Sequence, residues 1–324
     1  MVNMNKKKKP MEPAARYACA DDICIITSYF NPSGYRTKKE NFERFIAPVK
    51  KAKLNYVVVE CSFNGKGFEL PESKNIIRVN AGTILWQKER LLNIALKHVP
   101  EKCTKIAWID SDILFSNTNW AVETSHLLDK YKIIQPFEYA VRLPKGNSFT
   151  SDLNEVYTGF GYVYTKYPNS LLEGNFNLHG HTGFAWAGRK EVFERLGFYD
   201  ACIAGSADHV MAHSFCGDWD SACLNKMFLD NGMYRNHYIK WSEKIYKKVK
   251  AKVSYTEGVV FHLWHGEIKH RRYLERMQYL NDYNFDPEKD LYLNETGCWE
   301  INESRAELIP LAGYYFAERK EDGE

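Results

Sequence analysis

The chain has 324 residues and a hydrophobic content of 44%, enough to bury a core in one large α/β domain or two small domains. Its formal net charge is +3, and setting aside the four lysines at positions 6–9 leaves −1, which excludes the overall basic character of a dedicated nucleic-acid-binding protein. No stretch approaches the roughly 18 consecutive apolar residues of a membrane span, and no apolar signal region stands near the N-terminus.

The first residues and the cysteines indicate the setting of the protein. Residues 1–20 are rich in Lys, Pro and Ala without any period, which predicts a disordered basic tail; a tether for nucleic acid or membrane is the alternative. The eight cysteines include no Cys-x-x-Cys pair, which favours reduced thiols over a disulfide framework. We therefore expect a soluble, cytoplasmic protein.

Strands and helices alternate in the first half of the chain. In chain order the patterns predict a strand at 23–28, a helix at 41–50, strands at 56–60 and 76–79, a helix at 87–99, a strand within 105–115 and a helix near 119–130. Right-handed βαβ crossovers place helices on both faces of such a sheet. The fold class is therefore expected to be α/β, with a Rossmann-like, mostly parallel central sheet and flanking helices.

The second half begins with a change of texture. Residues 136–181 are rich in Tyr, Phe, Gly, Asn and Pro with weak periodicity, which predicts an elaborated cleft loop or small lid. Regular patterns return as a strand at 183–188, a helix at 189–196, a helical stretch near 219–230 and a late strand at 259–266 that precedes a basic helix. No clear interdomain linker interrupts the pattern, so we expect a single large domain over residues 21–318.

Two carboxylates stand at the end of the strand in 105–115. The segment Asp110-Ser111-Asp112 presents two acids where a buried strand reaches its C-terminal edge. Ligands of open α/β sheets bind at this edge, and hard divalent cations prefer oxygen ligands. A cation-bound nucleotide diphosphate would fit there. Taken alone, the pattern is also common as a loop or helix-cap acid pair.

Two histidines end the late strand. His262 and His265 stand three residues apart, and Gly266 permits a turn that brings their rings together. Imidazole is a common metal ligand, and a carboxylate pair leaves coordination positions open for it. The alternative is that one or both rings are hydrogen-bonded within the fold.

A third acid is a candidate general base. Asp208, in the segment 205–209, could take a proton from an acceptor hydroxyl. It could equally cap the helix that follows, and Asp218 and Asp220 compete for the same role.

Basic and amide side chains flank these acids along the chain. Lys88, Arg90 and Asn93 could reach phosphate or ribose groups, or lie on a solvated helix face. Arg271 and Arg272 follow the histidine pair, where guanidinium groups could clamp a diphosphate or face solvent.

Taken in order, these segments resemble the GT-A glycosyltransferases, most closely the β-1,4-galactosyltransferase and chondroitin-polymerase group. The resemblance extends over roughly residues 22–270, and the tail from 286 to 316 is similar to uncharacterised bacterial and viral glycosyltransferase-like proteins. The matching segments are Trp86-Gln87-Lys88-Glu89-Arg90-Leu91-Leu92-Asn93-Ile94-Ala95, residues 108–115, 183–188 and 205–209, and His262-Leu263-Trp264-His265.

The resemblance implies an activity and a metal. It implies transfer of a sugar from a nucleoside-diphosphate sugar, a UDP-sugar, to the hydroxyl of a glycan or another acceptor. Mn²⁺ or Mg²⁺ would be held by Asp112 and His265, with Asp110 and His262 as second candidates. Asp208 would be the base of an inverting reaction.

The resemblance also divides the binding roles. It implies a donor-binding half at about 21–135 and an acceptor-side half at about 136–318. The implied nucleotide and diphosphate contacts are Thr27, Ser28, Tyr29, Glu60, Lys88, Arg90, Asn93, Asp110, Arg271 and Arg272. The implied acceptor contacts are Gly183, Phe184, Trp186 and His209. The sequence departs from the family at Ser206-Ala207-Asp208, where Gly-Glu-Asp is preferred, so an acceptor-binding acid is missing.

Three alternatives stay open. A nucleotidyltransferase acting on sugar phosphates also uses paired acids and metals. A non-catalytic nucleotide-sugar or glycan-binding module is the alternative outside the enzymes. A glycosyltransferase acting on modified bases of viral DNA is indicated only by the lysines at 6–9 and in 244–252. The absence of a Golgi-type anchor favours a bacterial or virus-infected cytoplasm.

Overall fold

A computed structural model describes residues 12–149, 155–168 and 178–323. In these ranges the strands are β1 (Ile23–Phe30), β2 (Asn55–Phe63), β3 (Ile76–Ala81), β4 (Lys105–Ile109), β5 (Ile113–Phe115), β6 (Ile133–Gln135), β7 (Tyr139–Arg142), β8 (Val156–Thr158), β9 (Ala185–Arg189), β10 (Val253–Tyr255), β11 (Val259–His262), β12 (Leu291–Leu293) and β13 (Trp299–Ile301). The α-helices are α1 (Arg36–Lys51), α2 (Lys88–Leu96), α3 (Trp120–Leu128), α4 (Phe160–Lys166), α5 (Lys190–Phe193), α6 (Ala207–Cys216), α7 (Ala222–Phe228), α8 (Gly232–Val249), α9 (Tyr273–Asp282), α10 (Pro287–Asp290) and α11 (Ile309–Glu318). Short 3-10 helices span Ile268–Arg271 and Glu303–Leu308.

Seven strands form the central sheet, in the order β10-β6-β9-β4-β1-β2-β3. The strand pairs β1–β2, β2–β3, β1–β4 and β6–β10 are parallel. Only β9 runs against its neighbours β4 and β6 among these seven strands. The predicted α/β class with a mostly parallel central sheet is confirmed, and the antiparallel direction of β9 is a feature that the apolar pattern did not predict.

The strands of the central sheet are apolar on both sides, and a hydrophobic core therefore covers each face of the sheet. Successive residues of β1 enter different cores: Cys24 and Ile26 join one, and Ile23 and Ile25 join the other. One core receives the apolar face of α2, and the second receives that of α1. Parallel strands with helices on both faces have this near-continuous apolar pattern.

A second, four-stranded sheet lies beside the central one, in the order β5-β11-β7-β8. β11 pairs antiparallel with β5 and parallel with β7, and the register aligns His262 with Ile113. Since β5 begins directly after Asp112, this pairing brings the acid segment next to the histidine segment. The backbone N–H of Leu263 donates to the carbonyl oxygen of Asp112 at 2.9 Å.

Several predicted boundaries differ from the structure. Of the predicted tail, residues 1–11 lie outside the described residues, but 12–20 pack on the fold: Tyr17 is buried, and its hydroxyl accepts a hydrogen bond from the backbone N–H of Phe115. The fold also continues past 318, since Arg319 and Glu321 are buried. Within 136–181, the described residues form β7, β8 and α4 in addition to loops, and residues 150–154 and 169–177 of that segment are not described.

The helix α8 was not predicted, although it is the longest one described. Its buried positions are spaced three or four residues apart, as the core-facing stripe of a helix requires. Three of these positions are Tyr or Trp, and lysines dominate the end of the helix, so the stripe was not evident. The buried residues are Tyr234, Tyr238, Trp241, Ser242, Ile245 and Val249.

In the described part of the chain, no helix combines the length and apolar character needed to cross a membrane. All eight cysteines are free thiols.

Candidate active site

Asp112, His262 and His265 converge at the edge of the sheet. Asp112 Oδ2 lies 3.2 Å from His265 Nε2, and Asp112 Oδ1 lies 3.9 Å from His262 Nε2. The two Nε2 atoms are 2.9 Å apart. Asp112 and His265 are buried, and His262 is largely buried. One potential ligand atom from each residue lies within 4.8 Å of the others, so the three side chains could hold one metal ion.

The turn after His262 depends on Gly266. This glycine has φ +86°, and a Cβ there would lie 2.6 Å from the carbonyl oxygen of Arg319. Any side chain would therefore collide with the C-terminal segment. The close approach lets Glu321 reach His265 Nδ1 at 3.2 Å, and Arg271 Nη2 lies 3.0 Å from the same ring nitrogen and donates to the backbone carbonyl oxygen of His265. The C-terminal segment thus fixes the orientation of the His265 ring.

Burial keeps both rings neutral. Burial first and the Arg271 guanidinium second lower the pKa of His265 to about 3. Burial, together with Arg142 and Arg271, holds the pKa of His262 well below its usual value. Only a neutral imidazole can donate a nitrogen lone pair to a metal, so both rings are in the form that a ligand needs.

The donor set fits a divalent transition metal. Within the described residues, Asp112 Oδ1 is buried and has no hydrogen-bond partner. A cation between the carboxylate and the rings would satisfy this oxygen, which is otherwise costly to bury. One carboxylate and two imidazoles suit Mn²⁺, Fe²⁺ or Zn²⁺ better than Mg²⁺, which prefers oxygen ligands alone.

Asp110 is not part of this group. Its Oδ1 lies 2.6 Å from Lys88 Nζ, and the same ammonium lies 2.7 Å from Asp208 Oδ2. Burial lowers the pKa of Lys88, but the Asp110 and Asp208 carboxylates raise it well above its usual value. Burial raises the pKa of Asp110 to about 6, against the lowering effect of Lys88. Of the four predicted metal ligands, three converge and Asp110 belongs to a neighbouring ion-pair cluster.

Gly183 and Phe184 lie between the ion-pair cluster and the three candidate metal ligands. A Cβ on Gly183 would lie 3.0 Å from the His181 ring and 3.9 Å from Asp208 Oδ2. Phe184 stacks on His181 with ring centroids 4.0 Å apart, and its centroid is 5.1 Å from that of His262. The ion-pair cluster and the candidate metal ligands therefore belong to one continuous site.

Several predicted donor contacts support the fold around the site. Thr27 Oγ1 donates to the carbonyl oxygen of Ile109 at 2.7 Å, which ties β1 to the end of β4. Glu60 Oε1 accepts hydrogen bonds from the backbone N–H groups of Glu69 and Leu70. The Tyr29 hydroxyl donates to Glu69 in the same loop, beside the partly buried Ser28. These contacts order the loop after β2.

Other predicted donor contacts have different partners. Arg90 and Asn93 both bind the Asp200 carboxylate, at 2.9 and 2.8 Å, and so fasten α2 to the segment before α6. They also line a groove of about 580 Å³. Neither the ion-pair cluster nor the candidate metal ligands contribute to that groove. Arg272 pairs with Glu318 near the surface.

Three of the four predicted acceptor contacts are buried, and one of them, Phe184, is 4% exposed. Trp186 is 1% exposed, and its indole N–H donates to the carbonyl oxygen of Thr182. His209 is 6% exposed and lies among His179, His213 and Cys223. Gly183 and Phe184 both lie beside the site, but only Gly183 of the four is partly exposed.

Glu321 and His181 are contacts that the sequence did not reveal. Glu321 meets His265 from 56 positions along the chain, so no local pattern marks it. His181 lies in Gly180-His181-Thr182-Gly183, and the two flanking glycines were the available signal.

No family model matches this chain, and no curated protein matches it. The structure is similar to a mutant of Drosophila β1,4-galactosyltransferase 7 in complex with manganese, UDP-Gal and xylobiose (11% identity, 90% of this chain and 99% of that chain, TM-score 0.37). It is similar to S. aureus TarS 1–349 in complex with UDP-GlcNAc (11% identity, 76% and 59%, TM-score 0.34). A third similar structure is 4-diphosphocytidyl-2C-methyl-D-erythritol synthase from Anaerococcus prevotii (10% identity, 83% and 98%, TM-score 0.29). With TM-scores below 0.5, these likenesses carry no weight for function, which rests on the site itself.

Proposed function

We propose that this protein is a metal-dependent glycosyltransferase of the GT-A type that moves a sugar from a UDP-sugar to an acceptor hydroxyl with inversion. The observation that supports it is the convergence of Asp112, His262 and His265 at the same sheet edge as the Lys88–Asp208 ion pair. Transfer from a diphosphate donor requires positive charge to stabilise the leaving diphosphate and a carboxylate to accept the acceptor's proton. A cation site next to a carboxylate and a buried ammonium would provide both.

The metal would be held by Asp112, His262 and His265. When bound, it supplies positive charge to the donor diphosphate as that group leaves. The protein's own part is to keep the two rings neutral by burial and to orient His265 through Glu321 and Arg271. Such outer contacts fix which nitrogen faces the metal.

Lys88 would serve the diphosphate as well. Its ammonium pairs with both Asp110 and Asp208 in the structure, and it is almost fully buried. Phosphate oxygens entering beside it would compete with Asp208 for the same protons. Donor binding would thereby loosen the ion pair and leave the Asp208 carboxylate able to accept a proton.

Asp208 would act as the general base. It stands in the first turn of α6, and Gly183 passes close to its carboxylate. The acceptor hydroxyl would give its proton to Asp208 while its oxygen bonds to the anomeric carbon, and the bond from that carbon to the diphosphate breaks. A single displacement of this kind inverts the anomeric centre.

A thermal-shift panel of nucleotide sugars with and without Mn²⁺ tests the proposal, because a bound donor raises the apparent stability by mass action. We expect a stabilising UDP-sugar whose effect requires the metal, followed by release of UDP in the presence of an acceptor. Release of pyrophosphate would identify a nucleotidyltransferase instead. Stable donor binding without any product over a broad acceptor panel would identify a binding module.

A further inference from the structure

A second cluster of metal-binding side chains lies in the protein interior. His179, His209, His213 and Cys223 each offer one ligand atom, and these four atoms all lie within 4.8 Å of one another. The side chains are between 0 and 6% exposed. His213 Nε2 lies 3.6 Å from Cys223 Sγ. Four ligands around a tetrahedral zinc ion stand roughly 3.3–3.7 Å apart, so the cluster needs little adjustment to close on one ion.

The tautomers of two rings suit metal binding. His213 Nδ1 lies 2.8 Å from the Asp218 carboxylate, and His179 Nδ1 lies 2.8 Å from the carbonyl oxygen of Gly180. Because both partners can only accept, each Nδ1 carries the proton of the neutral ring, and Nε2 is the nitrogen with a lone pair. A carboxylate or carbonyl behind a histidine is the usual outer support of a metal ligand.

The helix α6 sets the spacing. His209 and His213 are four residues apart, on one face of this helix, and their ring centroids are 4.6 Å apart. His179 completes the group from the segment before β9, and Cys223 from the start of α7. Three separate chain segments therefore meet at one point, and His209 directly follows Asp208 in α6.

We propose that His179, His209, His213 and Cys223 bind a structural zinc ion in a closed tetrahedral site. A thiolate and three imidazoles are zinc ligands, and with four protein ligands no position is left for substrate. The site differs in chemistry from the Asp112 group and does not depend on the proposed transfer reaction.

The same contacts allow one other interpretation. Cys223, His213 and Asp218 are arranged like a nucleophile, its base and an orienting acid. Cys223 is only 1% exposed, however, so a substrate cannot reach its sulfur. A buried thiol that contacts three imidazoles fits a metal ligand better than a nucleophile.

The test measures zinc in the full chain, purified without a polyhistidine tag. We expect one zinc ion per chain that survives dialysis, and we expect it to be lost in Cys223→Ser and in His213→Gln. The matched control is Cys216→Ser, which changes a thiol at the end of α6 outside the cluster and should keep the zinc. Asp112→Asn should also keep it, which separates this site from the candidate active site.

Co²⁺ gives a second measurement that does not depend on a variant that may not fold. Replacing zinc by Co²⁺ in the wild-type chain should produce a sulfur-to-metal charge-transfer absorption band, and Asp218→Asn should weaken Co²⁺ binding about 10-fold or more. Wild-type protein that holds no zinc and shows no such band would overturn the proposal. Zinc retained by Cys223→Ser but lost by Asp112→Asn would overturn it too.

Discussion

The Lys88 ammonium lies 2.7 Å from the Asp208 carboxylate, the group that we propose as the general base. The same ammonium holds Asp110 at 2.6 Å, and Lys88 is only 8% exposed. One buried cation therefore pairs with two carboxylates. In the proposed reaction, Asp208 would become able to accept a proton once the donor diphosphate takes up Lys88, so donor binding would be coupled to proton transfer.

Replacing Lys88 by Met should destabilise the fold and weaken donor binding. It leaves two acids facing each other without a cation, and breaking a buried ion pair by removing one partner costs about 3 kcal/mol or more. The free energy of unfolding in urea measures the loss. Lys88→Arg keeps the charge and is the control. Equal stability of Lys88→Met and Lys88→Arg would contradict the bridging role.

Asp112 and Asp110 should differ in their effect on metal binding. Asp112→Asn removes a charged ligand from the three-residue group, so we expect Mn²⁺ binding to disappear and turnover to fall about 100-fold or more. Asp110→Asn should keep Mn²⁺ binding, because Asp110 pairs with Lys88 instead. Isothermal titration of each variant with Mn²⁺ measures whether metal binding is lost or kept. Loss of binding in Asp110→Asn alone would show that the two acids have been assigned the wrong way round.

Asp208→Asn should leave donor binding within a few-fold of wild type while kcat falls by about 10²–10⁴, since a general base acts mainly in the transition state. Donor affinity from titration and kcat from product formation provide the two measurements. If both fall together, Asp208 has a structural role. Asp220→Asn, at an exposed acid that pairs with Arg235, is the matched control and should leave both unchanged.

The stability of the metal-free protein should fall in mild acid. His265 has a folded pKa of about 3, below its unfolded value of about 6.5. The unfolded chain therefore binds more protons over this interval, and stability falls as the pH falls from 6.5 towards 3. Between pH 7 and 5 this group alone should cost about 2 kcal/mol. Urea unfolding of chelator-treated protein should show a shallower pH dependence in His265→Gln, and an unchanged dependence would rule out this origin.

Ser206→Gly should stabilise the protein. Ser206 precedes α6 with φ +74° and ψ +12°, a left-handed conformation that costs free energy for any residue except glycine. Relief of this strain should raise the free energy of unfolding by about 0.5–1 kcal/mol, less the added entropy of an unfolded glycine. Ser221→Gly, at a helix start with negative φ, is the control and should destabilise.

The elements whose patterns are local were predicted from the sequence. β1 and β2 are apolar runs bounded by turn residues, and their strand character follows from burial on both faces. The acids after β4 and the histidines at the end of β11 were also evident, because both pairs stand where an apolar strand ends. α8 was missed because tyrosines and a tryptophan form its buried stripe, and Arg319 and Glu321 were missed because they meet His265 from the far end of the chain.

The sequence by itself determined the α/β class, the mostly parallel character of the central sheet and the chemical types present in the candidate site. The tertiary structure alone decided which of those side chains meet. The antiparallel pairing of β5 with β11 put Asp112, and not Asp110, beside the histidines. His209 was predicted as an acceptor contact, but the packing of α6 places it in the cluster with His179, His213 and Cys223. Such contacts depend on strand register and helix packing, which are fixed by the whole core and leave no local signature in the chain.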